Sequence, residues 1–227
     1  MKNCAIVGWE EGLAGQVSQW INYNIKFYIH PFKKKPKIDL NKIRGKPSKN
    51  FQYPKNNKYL NLPFIVDENW CVFLKKKKIN QVLILISNGK LRNQLINKAK
   101  KNKIKVLTVI HKSAVILNKN LIGVGSIIEP FVFIGHNVEI GQGLLIQEKS
   151  SIEHNSVIGC GVTINPGSII NGNCHLMKYV TIHSGCTLFN NVRIGENSKI
   201  GAGSLVNKNI KRNTLAFGRP IKEIRKI

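Results

Sequence analysis

Ile146-Gln147-Glu148-Lys149-Ser150-Ser151-Ile152-Glu153-His154-Asn155-Ser156-Val157-Ile158-Gly159-Cys160-Gly161-Val162-Thr163-Ile164 places an aliphatic residue at every sixth position. Outward from this stretch the spacing holds without a slip, back through Ile140, Ile134, Ile128 and Ile122 to Ile116 and forward through Ile170, Leu176, Ile182, Leu188, Ile194 and Ile200 to Val206. A period of six matches neither the 3.6 residues of a helical turn nor simple strand alternation. It is the signature of a parallel β-helix, in which each hexad supplies one short strand and one corner and three hexads close a coil. The fifth residue of most hexads is small or branched, as at Ser150, Ser156, Val162, Ser168, Cys174, Val180 and Cys186. That pattern predicts that it shares the interior with the lead aliphatic. Residues eighteen apart then stack, and at ~4.8 Å per coil the stretch from Ile116 to Lys211 builds a prism roughly 25 Å tall. With no break in register, no loop is extruded from it.

The first half reads differently. Cys4 to Val7 is a strand, and Leu13, Val17, Trp20 and Ile21 follow at helical spacing. Between them lies a glycine-bearing turn, Gly8, Gly12 and Gly15, with Glu10 and Glu11 inside it. Strand, glycine turn and helix open a nucleotide-binding βαβ unit, where amides at the helix N-terminus receive phosphate. Lys26 to Ile29 reads as a second strand, and Pro31 to Pro63 as an irregular surface excursion. Val82 to Ile86 is a third strand, Lys90 to Asn102 a helix, and Lys105 to Ile110 another strand. This order implies a small Rossmann-like parallel sheet leading into the β-helix. The expected fold class is thus an α/β N-terminal domain, residues 1–112, followed by a parallel β-helix domain with a C-terminal tail, residues 113–227.

Composition narrows the functional classes. The formal net charge is +25, but lysine outnumbers arginine thirty to six, and the lysines are scattered rather than aligned with aromatics. That is the pattern of a chain encoded in AT-rich DNA, and it argues against a specific nucleic-acid site while leaving an attraction for phosphorylated ligands. No apolar run reaches the ~20 residues of a membrane span, and the N-terminus lacks the form of a signal peptide, so a cytoplasmic protein is expected. Five cysteines without metal-type spacing argue against a disulfide framework, and Cys174 and Cys186 fall on the inward position.

Several segments in order add a resemblance covering nearly the whole chain. They are the glycine turn, Asn88-Gly89-Lys90-Leu91-Arg92, Ile110-His111-Lys112-Ser113-Ala114-Val115, Ile152-Glu153-His154, Asn165-Pro166-Gly167 and Gly218-Arg219-Pro220. Together they resemble the left-handed β-helix sugar acyltransferases, specifically the nucleotide-linked 4-amino-sugar N-acetyltransferases and sialic acid O-acetyltransferases. The resemblance implies left-handed coiling, a homotrimer with active sites between neighbouring β-helices, acetyl-CoA as acyl donor and a nucleotide-activated amino sugar as acceptor, with no metal. Residues 1–112 would hold the nucleotide sugar, with Gly8 and Gly12 among its contacts. His154 matches the family's general base, the residue type whose neutral imidazole can take a proton from an attacking amine. The family's acidic residue directly after it is Asn155 here. Glu153 precedes His154, but adjacent strand residues point to opposite faces. A pocket asparagine and a second histidine of the family fall at Gln147 and Thr163. His136, one coil from His154 in the same column, is a candidate acceptor contact or proton partner. Gly172, eighteen residues after His154, matches a position where pantetheine approaches the backbone, and Ala202, Gly218, Pro220 and Lys222 complete the expected CoA channel. His175 and His183 read as structural. Acetylation of a sugar or sialic acid hydroxyl is the near alternative. A β-helix zinc enzyme of the γ-carbonic anhydrase type and an inactive scaffold relative are more distant ones.

Overall fold

The computed structural model describes residues 1–9, 11–34, 54–118 and 120–227. It divides into two compact units, residues 1–86 with 98–106, and residues 87–97 with 107–227.

The first unit is a parallel sheet. Its strands are β1 (Asn3–Val7), β2 (Asn24–His30), β3 (Lys58–Tyr59), β4 (Leu62–Val66), β5 (Gln81–Ile84) and β6 (Lys105–Val106), in spatial order β3-β4-β2-β1-β5-β6. All neighbours run parallel except β3, which pairs antiparallel with β4 at the edge. Cys4 to Val7 and Val82 to Ile84 are fully buried, as continuous aliphatic runs demand of central parallel strands. Strand order reverses between β1 and β5, and the helix α1 (Glu11–Trp20) follows the turn at the end of β1. Gly8 makes that turn possible. Its φ is +99°, and a Cβ there would collide with the Leu85 carbonyl oxygen.

Two expectations for this half change. Part of the excursion assigned to Pro31 to Pro63 lies outside the described residues, but its end is structured: β3 and β4 form a hairpin, and a helix α2 (Trp70–Lys76) follows. Leu62-Pro63-Phe64-Ile65-Val66 is a strand that the surrounding prolines and lysines obscured, since Pro63 sits in the hairpin beside the edge strand, where a missing N–H is tolerated. The strand expected over Lys105 to Ile110 is two strands. Lys105–Val106 joins this sheet, whereas Val109–Ile110 pairs with Ile127–Ile128 and starts the β-helix.

The second unit is the β-helix, with the first turns of α3 (Gly89–Lys101). Two-residue strands alternate around three parallel faces. The first face begins at Val109–Ile110 and runs through residues 127–128, 145–146, 163–164 and 181–182 to Lys199–Ile200. The second runs from Val115–Ile116 to Leu205–Val206, and the third from Leu121–Ile122 to Arg193–Ile194. Partners are eighteen residues apart, as in Ile134↔Ile152 and Ile152↔Ile170. Lead aliphatics from Ile128 to Val206 are buried, and so are the fifth-position residues, serines and cysteines included.

Serine is admitted to this interior because its hydroxyl is satisfied twice. Ser168 Oγ donates to the His183 carbonyl at 3.0 Å and accepts from the Cys186 amide at 3.3 Å. Ser150 and Ser156 repeat the pattern with Asn165 O and Ser168 N, and with Asn171 O and Cys174 N. The eighteen-residue spacing ends after Val206, where Ile194 faces Ile210 and Ile200 faces Ala216, sixteen residues on. A final antiparallel pair, Thr214–Phe217 with Lys222–Lys226, closes the first face. Among the described residues, no helix is long and apolar enough to cross a membrane.

Candidate active site

The corner after the second face carries the histidine column. Because Ile134, Ile152 and Ile170 are in register, His136, His154 and Gly172 stack on successive coils. His154 is exposed, and its ring occupies the space into which a side chain at Gly172 would project. A Cβ on Gly172 would sit 2.7 Å from Nε2 and 3.0 Å from Nδ1 and would collide with Cε1. Only glycine lets the imidazole rest there. The Gly172 amide makes no hydrogen bond among the described residues, so an N–H donor lies beside the ring. An imidazole and a free backbone donor close together are the two kinds of group that acyl transfer requires, one for the proton and one for the developing oxyanion.

Asn155 is the ring's polar neighbour. Its Nδ2 lies 3.2 Å from His154 Nδ1, while its Oδ1 accepts from Asn137 Nδ2 at 3.0 Å. Glu153 makes no side-chain hydrogen bond to the imidazole. His136 is exposed on the adjacent coil, its carbonyl accepting from the Asn155 amide at 3.0 Å.

Thr163 and Gln147 sit elsewhere, on and just after the first face. Thr163 is 3 % exposed, and its hydroxyl is committed to the scaffold: it donates to the Ser87 carbonyl at 3.0 Å and accepts from Arg92 Nη2 at 3.0 Å. Arg92, fully buried, also donates to the carbonyls of Gly143, Val162 and Ser87 at 2.8–2.9 Å. Gln147 and Glu148 lie beside the buried carboxyl of Glu129. Burial, and then the neighbouring Glu148 carboxyl, push the Glu129 pKa up to about 7. Nothing in the hexad pattern distinguishes Glu129 from a surface carboxylate, because it occupies a corner position that other coils fill with polar residues.

Beside Thr163 opens a pocket of about 320 Å³, lined by Ser87, Asn88, Lys90, Tyr179, His183 and Lys199 among others, with no carboxylate in its wall. Asn165 Nδ2 lies 3.3 Å from His183 Nδ1, and burial followed by the nearby Lys199 charge lowers the His183 pKa. His183, read from sequence as structural, therefore faces a cavity. Of the remaining site residues, Gly12 is exposed in α1 with open space around it, and Ala202, Pro220 and Lys222 are exposed at the C-terminal end of the β-helix. Gly218, φ +121°, accepts from the Leu205 amide at 3.0 Å. Among the described residues no group of three or more His, Cys, Asp or Glu side chains is arranged to hold a metal ion.

Residues 155–190 match the bacterial transferase hexapeptide family model, six repeats. PerB from Caulobacter crescentus, solved with CoA and GDP-perosamine, superposes with a TM-score of 0.82 at 19 % identity over 99 % of this chain and 98 % of that one. The chain folds as a left-handed β-helix of hexapeptide repeats, preceded in sequence by an α/β unit. This hexapeptide β-helix is also similar to the acetyltransferase domain of PglB from Neisseria gonorrhoeae, solved with acetyl coenzyme A, at TM-score 0.77 and 17 % identity over 98 % of this chain and 99 % of that one. A galactoside O-acetyltransferase of Lactococcus lactis is 64 % identical over 36 residues, a match spanning 16 % of this chain and 17 % of the relative.

Proposed function

We propose that this protein is an acetyl-CoA-dependent N-acetyltransferase that acts on the amine of a nucleotide-activated amino sugar, at its 4-position, in glycan biosynthesis. The observation that carries the reading is the His154 ring seated on Gly172 with a free amide beside it. PerB, bound to CoA and GDP-perosamine, shares the fold over nearly the whole chain and supports the choice of substrates.

In the reaction, the acceptor amine attacks the thioester carbonyl carbon of acetyl-CoA. As the N–C bond forms, His154 takes the amine proton, and the tetrahedral oxyanion is met by backbone N–H groups of the Gly172 column. Collapse breaks the C–S bond, and the departing thiolate receives a proton from the imidazolium. Residues 1–112 hold the nucleotide, with Gly8 and Gly12 at the turn after β1, and residues 113–227 carry out the transfer in a homotrimer with active sites between neighbouring β-helices. Gly172, Ala202, Gly218, Pro220 and Lys222 follow the CoA path. The carboxylate-free pocket with Lys90 and Lys199 in its wall suits a phosphate-bearing ligand.

The deciding experiment is turnover of acetyl-CoA with UDP-, dTDP- and GDP-linked 4-amino sugars. His154→Ala is expected to lower kcat by about 10² or more while the protein remains folded; near-normal turnover in that variant would remove His154 from the mechanism. His136→Ala is expected to raise the acceptor KM and leave the acetyl-CoA KM unchanged. The segment shared with a galactoside O-acetyltransferase favours one second reading, transfer to a sugar hydroxyl. Hydroxylamine-labile acetate on the product would select it over the amide.

A further inference from the structure

The position after each histidine-column residue forms a second stack, Asn137, Asn155, Asn173 and Asn191, with φ between +56° and +65°. The coil needs a left-handed residue at this corner, and asparagine tolerates it better than other side-chain-bearing residues. Two of these amides also form a line that ends on the candidate base. Asn137 Nδ2 donates to Asn155 Oδ1 at 3.0 Å, and Asn155 Nδ2 lies 3.2 Å from His154 Nδ1.

An amide nitrogen only donates. In this arrangement Nδ1 is therefore the acceptor, and the neutral imidazole carries its proton on Nε2. Neither ring nitrogen then offers a lone pair to a substrate, since Nδ1 is engaged and Nε2 is protonated. Turning both amides over keeps the same number of hydrogen bonds: Nδ1–H donates to Asn155 Oδ1, Asn155 Nδ2 donates to Asn137 Oδ1, and Nε2 becomes free.

We infer that Asn137, acting through Asn155, is a positioning residue that selects which nitrogen of His154 carries the proton. The inference rests on the proposed role of His154 as base. A carboxylate at position 155 would accept only and would hold Nδ1–H outright; asparagine leaves the decision to whatever orients its amide, and that is Asn137. The device is two-state, and an orientational preference worth one net hydrogen bond is about fivefold in population.

Asn137→Asp tests it. Aspartate also tolerates the left-handed corner, and as an acceptor it requires Asn155 to donate toward it, turning Asn155 Oδ1 to the ring. Because the two orientations make equal numbers of hydrogen bonds and start near equal population, kcat is expected to rise by at most about twofold with both KM values unchanged, and ¹⁵N spectra of histidine-labelled protein, taken where the ring is neutral, are expected to shift His154 toward the Nδ1–H pattern. The same substitution in an Asn155→Gly background, which keeps the corner but cuts the line, is expected to give neither change. A kcat gain that persists in that background would show a direct effect of the added charge and overturn the relay, as would identical ¹⁵N spectra for Asn137→Asp and the unaltered protein. The spectra need no turnover. A tautomer that moves without any gain in kcat would therefore support the relay and instead count against His154 as the base.

Discussion

Glu129 ties the pH dependence of stability to one carboxyl group. It is 2 % exposed, and its Oε1 makes no hydrogen bond. Burial first, and then the Glu148 carboxyl beside it, push its pKa from 4.5 up to about 7, against smaller opposing contributions from Gln147 and the Glu148 backbone. Between these two values the folded chain holds a proton that the unfolded chain releases. Stability from this group is therefore fully present below about pH 4.5 and is lost as pH rises through 7. At about 1.4 kcal/mol per pH unit, the ionised carboxylate costs the folded state up to about 3 kcal/mol at pH 8. Glu129→Gln keeps the shape and the contact with Gln147 but cannot ionise. Its unfolding free energy relative to the unaltered protein should be near zero or slightly negative at pH 4.5 and should climb to a gain of about 1–3 kcal/mol at pH 8. Urea unfolding at pH 5, 6, 7 and 8, with both proteins at one concentration, measures the difference directly, and groups common to both cancel. Parallel pH dependences for the two proteins would refute the reasoning.

Gly172→Ala is expected to cut kcat at least tenfold while changing stability little, because the added Cβ displaces an exposed ring rather than backbone; kinetics and thermal unfolding of the same preparation separate the two. Arg92→Ala removes a donor from two buried carbonyls, those of Gly143 and Val162, from the part-buried Ser87 carbonyl and from the Thr163 hydroxyl, so a loss of about 3 kcal/mol in urea unfolding is expected.

The hexads make the β-helix legible because a period of six has few structural solutions, and the same register by itself puts His136, His154 and Gly172 in one column. It also contained the Asn137–Asn155 stack, since those two residues are eighteen apart, but spacing does not say which way an amide faces. The first half was less legible. The hairpin around Pro63 and the division of Lys105 to Ile110 between two sheets depend on which partners are present, and strand propensity alone does not choose a partner.

Periodicity in the chain itself determined the coil, its interior and its columns, because side-chain direction in short strands and tight corners is a local property repeated without interruption. Only the tertiary structure decided what each polar group meets. Thr163 is held by Arg92, which lies 71 residues earlier in the chain, Glu129 is buried against Gln147 and Glu148, and His183 faces a cavity rather than solvent alone. Hydrogen-bond partners and desolvation are set by groups far apart in sequence, and these decide whether a residue at a given corner is surface, scaffold or site.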